Sequence, residues 1–203
     1  MSESEYTKST GLTPHRLETL VDGIFAIAMT LLVLSINLPE GGKIPGVGLF
    51  LMSQGERFFN FALSFFLLAI FWIRHSGQFH HIKKINALVI WINIAFLLFV
   101  TLIPFSTSLM NEYTTSRSAD LFFNLNLLGL SALLYCNWAY CLRKNFIEGG
   151  GSDRRIEETT WVTRNLIVVP VAAVILSVIL PNWSTTLYLT IPFVLLIKAR
   201  VKK

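Results

Sequence analysis

The stretch Pro14–Leu38, PHRLETLVDGIFAIAMTLLVLSINL, decides how the rest of the chain is read. From Leu17 to Leu38 it is apolar on almost every side. As a helix that length spans about 33 Å, close to the ~30 Å hydrocarbon thickness of a bilayer. Thr13 stands where an N-cap belongs, and Pro14 occupies the first helical position. Arg16, Glu18 and Asp22 crowd the first turns. A carboxylate inside an apolar helix is costly unless it faces protein or water. The segment therefore does more than anchor the chain.

Outward from this stretch, the 203 residues are 53% hydrophobic and 14% charged, with several uninterrupted apolar runs. That composition points to an all-α, polytopic membrane protein. The ~10-residue alternation of a membrane barrel is missing. Six transmembrane helices are predicted at about 17–38, 56–79, 86–108, 119–142, 159–180 and 184–198, forming a single domain over residues 1–203. A Gly/Pro-rich connection, Pro39 to Gly48, follows the first span, and Pro170 predicts a kink in the fifth. The formal net charge is +5, but the basic residues sit beside the ends of apolar runs, which excludes nucleic acid as a partner. With the amino terminus inside, Lys83, Lys84, Arg143, Lys144, Arg154, Arg155 and the carboxy-terminal basic residues fall on one side, against Lys43, Arg57 and Arg117 on the other. The positive-inside rule then puts both termini of a multi-pass membrane protein in the cytoplasm, and the lack of a duplicated second half points to a prokaryotic-type subunit of the cell membrane.

The first apolar run is longer than a signal-peptide core and ends at Asn37-Leu38-Pro39-Glu40, not at a small-residue cleavage site, so it is expected to be retained. Cys136 and Cys141, five apart on one helix, point to different faces and are not expected to bridge. Trp161, Trp183 and Tyr188 near span ends fit an interfacial aromatic belt. Spans one to three share no motif with spans four to six.

No HExxH, nucleophile elbow or phosphate-binding Gly loop occurs, so the chain reads as neither an enzyme nor the holder of a cofactor. His80 and His81 are adjacent and cannot both aim at one ion, and His75 lies five residues before them, so no metal site is expected. Gly46-Val47-Gly48 matches part of a selective potassium filter but lacks the preceding Thr-Val pair and a pore helix; it reads as a turn. The first span differs. Gly23, Ile27, Thr30, Leu31 and Leu34 fall three and four apart on one face. That face is either an ordinary packing seam or, repeated around an axis, a pore lining whose apolar rings gate by dewetting.

R-L-E-T-L-V-D-G-I-F-A-I-A-M-T-L-L-V-L resembles the first helix of the transmembrane protein 175 family, the endosomal/lysosomal and prokaryotic potassium-permeable channels. The family pattern R-x-x-x-F-S-D meets Arg16 and Asp22 here, with Leu20 and Val21 replacing Phe and Ser. W-I-R-H-S-G-Q-F, with Trp72, His75 and Phe79, is similar to its second helix. N-I-A-F-L-L-F-V-T-L-I-P-F, with Asn93, Pro104 and Phe105, is similar to its third. The resemblance covers residues 14–109. It implies a homotetramer of six-helix subunits without a re-entrant filter, helix 1 of each lining a central pore. It further implies an apolar constriction at Ile27, a Thr layer at Thr30, apolar rings at Leu31 and Leu34, and potassium as the permeant ion. The motif residues Arg16, Asp22, Trp72, His75 and Asn93 would then knit the helices on the cytoplasmic side.

A buried Asp22 needs a partner, because Arg16, six positions away, is on another face; His75 and Asn93 are the candidates. A chain with no carbonyl filter passes a mostly hydrated cation, which predicts weak preference for potassium over sodium. The alternative is a secondary transporter or proton-coupled carrier using Asp22, Glu18 and His75 as a relay, although such proteins usually carry repeats and broken helices near mid-membrane. A membrane scaffold is the third reading. The partners expected are the lipid bilayer, monovalent cations and further copies of the chain.

Overall fold

Thr13 caps the first helix as its position implies: its Oγ1 accepts from the Arg16 N–H at 3.3 Å, and Pro14 opens α1 (Pro14–Leu31). The computed structural model describes residues 12–36, 46–148, 153–179 and 184–191. Beyond Leu31 the first span tightens into a 3₁₀ turn, Leu32–Ser35. There follow α2 (Val47–Ser53), α3 (Gly55–His81), α4 (Ala87–Glu112), α5 (Arg117–Arg143), α6 (Arg154–Asn165), α7 (Val168–Ile179) and a 3₁₀ turn at Thr185–Leu189. Five segments are long and apolar enough to cross a membrane: Pro14–Ser35, Gly55–His81, Ala87–Glu112, Arg117–Arg143 and Arg154–Ile179. The protein is an all-α, multi-pass membrane protein. Most of the expected sixth span, from residue 192 onward, lies outside the described residues.

Two elements depart from the sequence reading. The first is α2, where the sequence suggests only a connection and then the second span. Gly46, at φ 92°, turns the chain into it, a conformation that side chains resist. The second is the fifth span, expected as one kinked helix and found as α6 and α7, parted at Leu166–Ile167. Pro170 has no N–H for the Leu166 carbonyl, and its ring crowds that oxygen, so the break falls one turn ahead of it. Pro104 sits inside α4 without parting it.

α3 and α4 run antiparallel, and their shared seam is layered. Asn60–Asn111 (2.9 Å) and Ser64–Thr107 (2.8 Å) make one polar layer. His75–Asn93 (2.7 Å) belongs to another. Leu67, Leu68, Phe71, Phe96, Val100 and Ile103, all buried, fill the gap between them. α5 lies close along α4: a Cβ added at Gly129 would fall inside the van der Waals surface of the Phe99 ring. At the basic end of the bundle, Lys83 N–H donates to Phe146 O (2.8 Å) and Glu148 N–H to His81 O (3.0 Å). The Lys83–Glu148 ion pair (3.0 Å) reinforces that tie.

Tyr188 is not part of an aromatic belt. It is buried, and its hydroxyl donates to Asn124 Oδ1 at 2.9 Å; a phenol whose polar end is satisfied inside the bundle has no need of the interface. Trp161 is partly exposed, and Trp183 lies outside the described residues. Cys136 and Cys141 are both free thiols.

Candidate pore face and polar network

One face of the first span belongs to the subunit. Leu17, Val21, Phe25, Ala28, Leu32 and Ser35 recur every three or four residues and are buried against the rest of the bundle. At about 100° per residue, the stripe Gly23, Ile27, Thr30, Leu31 and Leu34 lies on the opposite side. It is exposed: Ile27 to 56%, Leu31 to 44% and Leu34 to 67%. A Cβ added at Gly23 would meet nothing within 4 Å. Among the described residues, the stripe is therefore no packing seam of the subunit. Arg16, seven residues before Gly23, starts the same line and is exposed. Thr30 Oγ1 donates to the Ile27 carbonyl at 2.8 Å, which leaves its oxygen lone pairs turned outward.

The flank of α1 is pinned to α3 by two rungs one turn apart on each helix. Trp72 Nε1 donates to Asp22 Oδ1 at 2.8 Å, and Ser76 Oγ donates to Glu18 Oε1 at 3.2 Å. Asp22 is exposed, and its partner is the indole of Trp72, not His75 or Asn93. The reason is rotational. Three residues beyond Trp72, His75 turns toward α4, where its ring stacks on Phe79 (4.4 Å) and Phe96 (5.4 Å).

His75 opens a chain of buried hydrogen bonds. Asn93 Nδ2 donates to Val89 O (2.7 Å) and to Asn137 Oδ1 (2.9 Å). Its Oδ1 is left as the acceptor for His75 Nε2, which must carry the proton. Asn137 Nδ2 passes to Gln78 Oε1 (3.2 Å), and Gln78 Nε2 donates to Leu134 O and Thr163 Oγ1, each at 3.2 Å. The chain links α3, α4, α5 and α6. It brings His75 and Asn93 together and keeps Asp22 with Trp72, so the carboxylate and the imidazole do not share a bond. Among the described residues, no group of three His, Cys, Asp or Glu could hold a metal ion.

A profile of the family described as "Endosomal/lysosomal potassium channel TMEM175" matches residues 16–104, the region that carries both the exposed stripe and the α1–α3–α4 contacts. Over these residues the chain is similar to the TMEM175 family. A potassium channel of Chamaesiphon minutus is 36% identical over 100 residues, 48% of this chain and 49% of that one. A potassium channel of Streptomyces collinus is 26% identical over 132 residues, 63% of this chain and 64% of that one. The human endosomal/lysosomal proton channel TMEM175 is 30% identical over 101 residues, 46% of this chain but 20% of its own. Each match covers less than two thirds of the curated relative's length. The crystal structure of a lysosomal potassium-selective channel TMEM175 homolog from Chamaesiphon minutus superposes at a TM-score of 0.74 with 27% identity, covering 93% of this chain and 97% of that one.

The TMEM175 match ends at Pro104, before α5 and α6. Asn137 and Thr163, which the sequence reading does not single out, lie beyond it. The signal for Asn137 was an amide in a long apolar helix, where it must find a partner. Gln78 stands inside the second quoted motif, yet nothing in one sequence says which helix it reaches.

Proposed function

We propose that this chain is a TMEM175-family subunit of a potassium-permeable, weakly selective cation channel, in which the first spans of four copies surround a central pore. The observation that carries the reading is the two-faced character of α1: one side is buried in the subunit, and the stripe Ile27, Thr30, Leu31 and Leu34 is turned away from it. Ile27 is the narrow apolar ring, gating by dewetting, and Thr30 supplies oxygen acceptors one turn on. Asp22–Trp72 and Glu18–Ser76 hold the pore helix against α3, and His75–Asn93 holds α3 against α4, at the cytoplasmic end. The loop charges put both termini in the cytoplasm, and the absence of any motif shared between spans one to three and spans four to six supports a prokaryotic-type subunit in the cell membrane. Relatives named as potassium channels support the permeant ion. With no filter of backbone carbonyls, the cation keeps most of its water, and discrimination between potassium and sodium stays modest.

Purified protein in potassium-loaded liposomes tests this. Wild type should release potassium, Ile27→Ala and Ile27→Asn should raise the flux several-fold by widening or wetting the constriction, and sodium should pass at a comparable rate. Flux indifferent to position 27 but abolished by Asp22→Asn would assign the transport to a carrier instead. Flux from none of the proteins would leave a scaffold.

A further inference from the structure

The far end of the first span is held by polar residues distinct from those around Asp22. Ser35 closes the 3₁₀ turn, and its carbonyl is one of those that a helix terminus leaves without an intrahelical donor. Asn111 Nδ2 donates to that carbonyl at 3.0 Å. Asn60 Nδ2 donates to Asn111 Oδ1 at 2.9 Å, which fixes the Asn111 amide with its N–H₂ toward Ser35. All three residues are buried: Ser35 to 1% exposure, Asn111 to 4% and Asn60 to 6%. Leu34, next to Ser35 and the outermost member of the exposed stripe, stands 67% exposed.

We infer that Asn111, oriented by Asn60, is a positioning residue that sets the outer ring of the pore by holding the Ser35 carbonyl. The inference rests on the pore reading above. Hydrogen bonds in a 3₁₀ turn have poor geometry, and such turns stay short, so an outside tether decides how the turn is wound. The winding matters for Leu34. Three residues of 3₁₀ turn through about 60° more than three of α-helix. A turn released into α-geometry swings Leu34 by that angle relative to Ile27. Ile27 itself, inside α1 and next to buried Ala28, does not depend on the tether.

Thiol reporters separate the two positions. Leu34→Cys and Ile27→Cys channels in planar bilayers are blocked by a charged, water-soluble methanethiosulfonate, with the parent protein, carrying only Cys136 and Cys141, as the control. Adding Asn111→Leu should change the modification rate at position 34 by about tenfold, the effect of leaving one buried carbonyl unpaired. The rate at position 27 should stay within about twofold. Asn60→Leu, which removes only the orienting bond, should shift position 34 the same way by less. Asn111→Asp keeps the acceptor for Asn60 and lacks the amide donor, and serves if Asn111→Leu does not assemble. Unchanged rates at position 34, or equal changes at both positions, overturn the inference while block at position 27 upholds the pore. Absence of block at position 27 in the Ile27→Cys parent would overturn both.

Discussion

Asn93 satisfies three partners with one amide: His75, Asn137 and the Val89 carbonyl. Trp72 satisfies one, the exposed Asp22. The two residues belong to neighbouring contacts, yet their removal should differ in cost. Asn93→Leu strands buried polar atoms on three sides and should lower stability by about 2 kcal/mol. Trp72→Phe leaves a carboxylate that water can reach, and should cost less than about 1 kcal/mol. Thermal unfolding of the detergent-solubilised proteins measures both, and equal losses would contradict the difference in burial. The same residues mark what a sequence makes readable. The stripe of Ile27, Thr30, Leu31 and Leu34 is a periodicity, and periodicity survives in one chain. The partner of Asp22 is a matter of how α3 is rotated against α1, and single-chain spacing carries no such angle. Spacing therefore offers His75 and Asn93 as candidates, and in the structure they bond to each other.

Elements follow the same division. Hydropathy gives the existence and length of α3, α4 and α5 to within a few residues, because a bilayer fixes how long an apolar helix must be. It is blind to the path of the backbone inside a span, so α2 and the parting of α6 from α7 needed coordinates. Pro170 announced a disturbance; its place one turn earlier follows from the carbonyl it crowds. The close approach of α4 and α5 at Gly129 makes a further prediction. Gly129→Leu improves helix propensity by up to about 1 kcal/mol but drives a side chain into Phe99. Overpacking of that kind costs about 1–3 kcal/mol, and here the larger side chain should put the balance on the side of loss. A lower melting temperature with unchanged helix content by circular dichroism is the expected outcome, and an unchanged or raised one would mean that Phe99 moves aside freely.

At the scale of the molecule, the orientation rests on which loops carry Lys and Arg. A cysteine introduced by Thr115→Cys, in the turn before α5, should react with an impermeant thiol reagent on intact cells. One introduced by Lys84→Cys, in the turn before α4, should react only after permeabilisation. The reverse pattern would invert the topology. The assembly has its own measurement: native mass spectrometry from detergent should give four copies of the 203-residue chain, and a monomer that still conducts would remove the central axis. Six spans were readable from composition, and five are seen among the described residues. How copies meet was never in the composition, since an exposed apolar face reads alike whether it borders lipid, water or another subunit.

Thr30 has already directed its one hydroxyl proton back to the Ile27 carbonyl. What it offers outward is therefore electron-rich oxygen and no donor. Chloride approaching that level would meet nothing to replace the water it sheds, whereas a positive ion would find a ligand. In the proposed pore, a single backbone-directed hydrogen bond would sort permeant species by sign of charge.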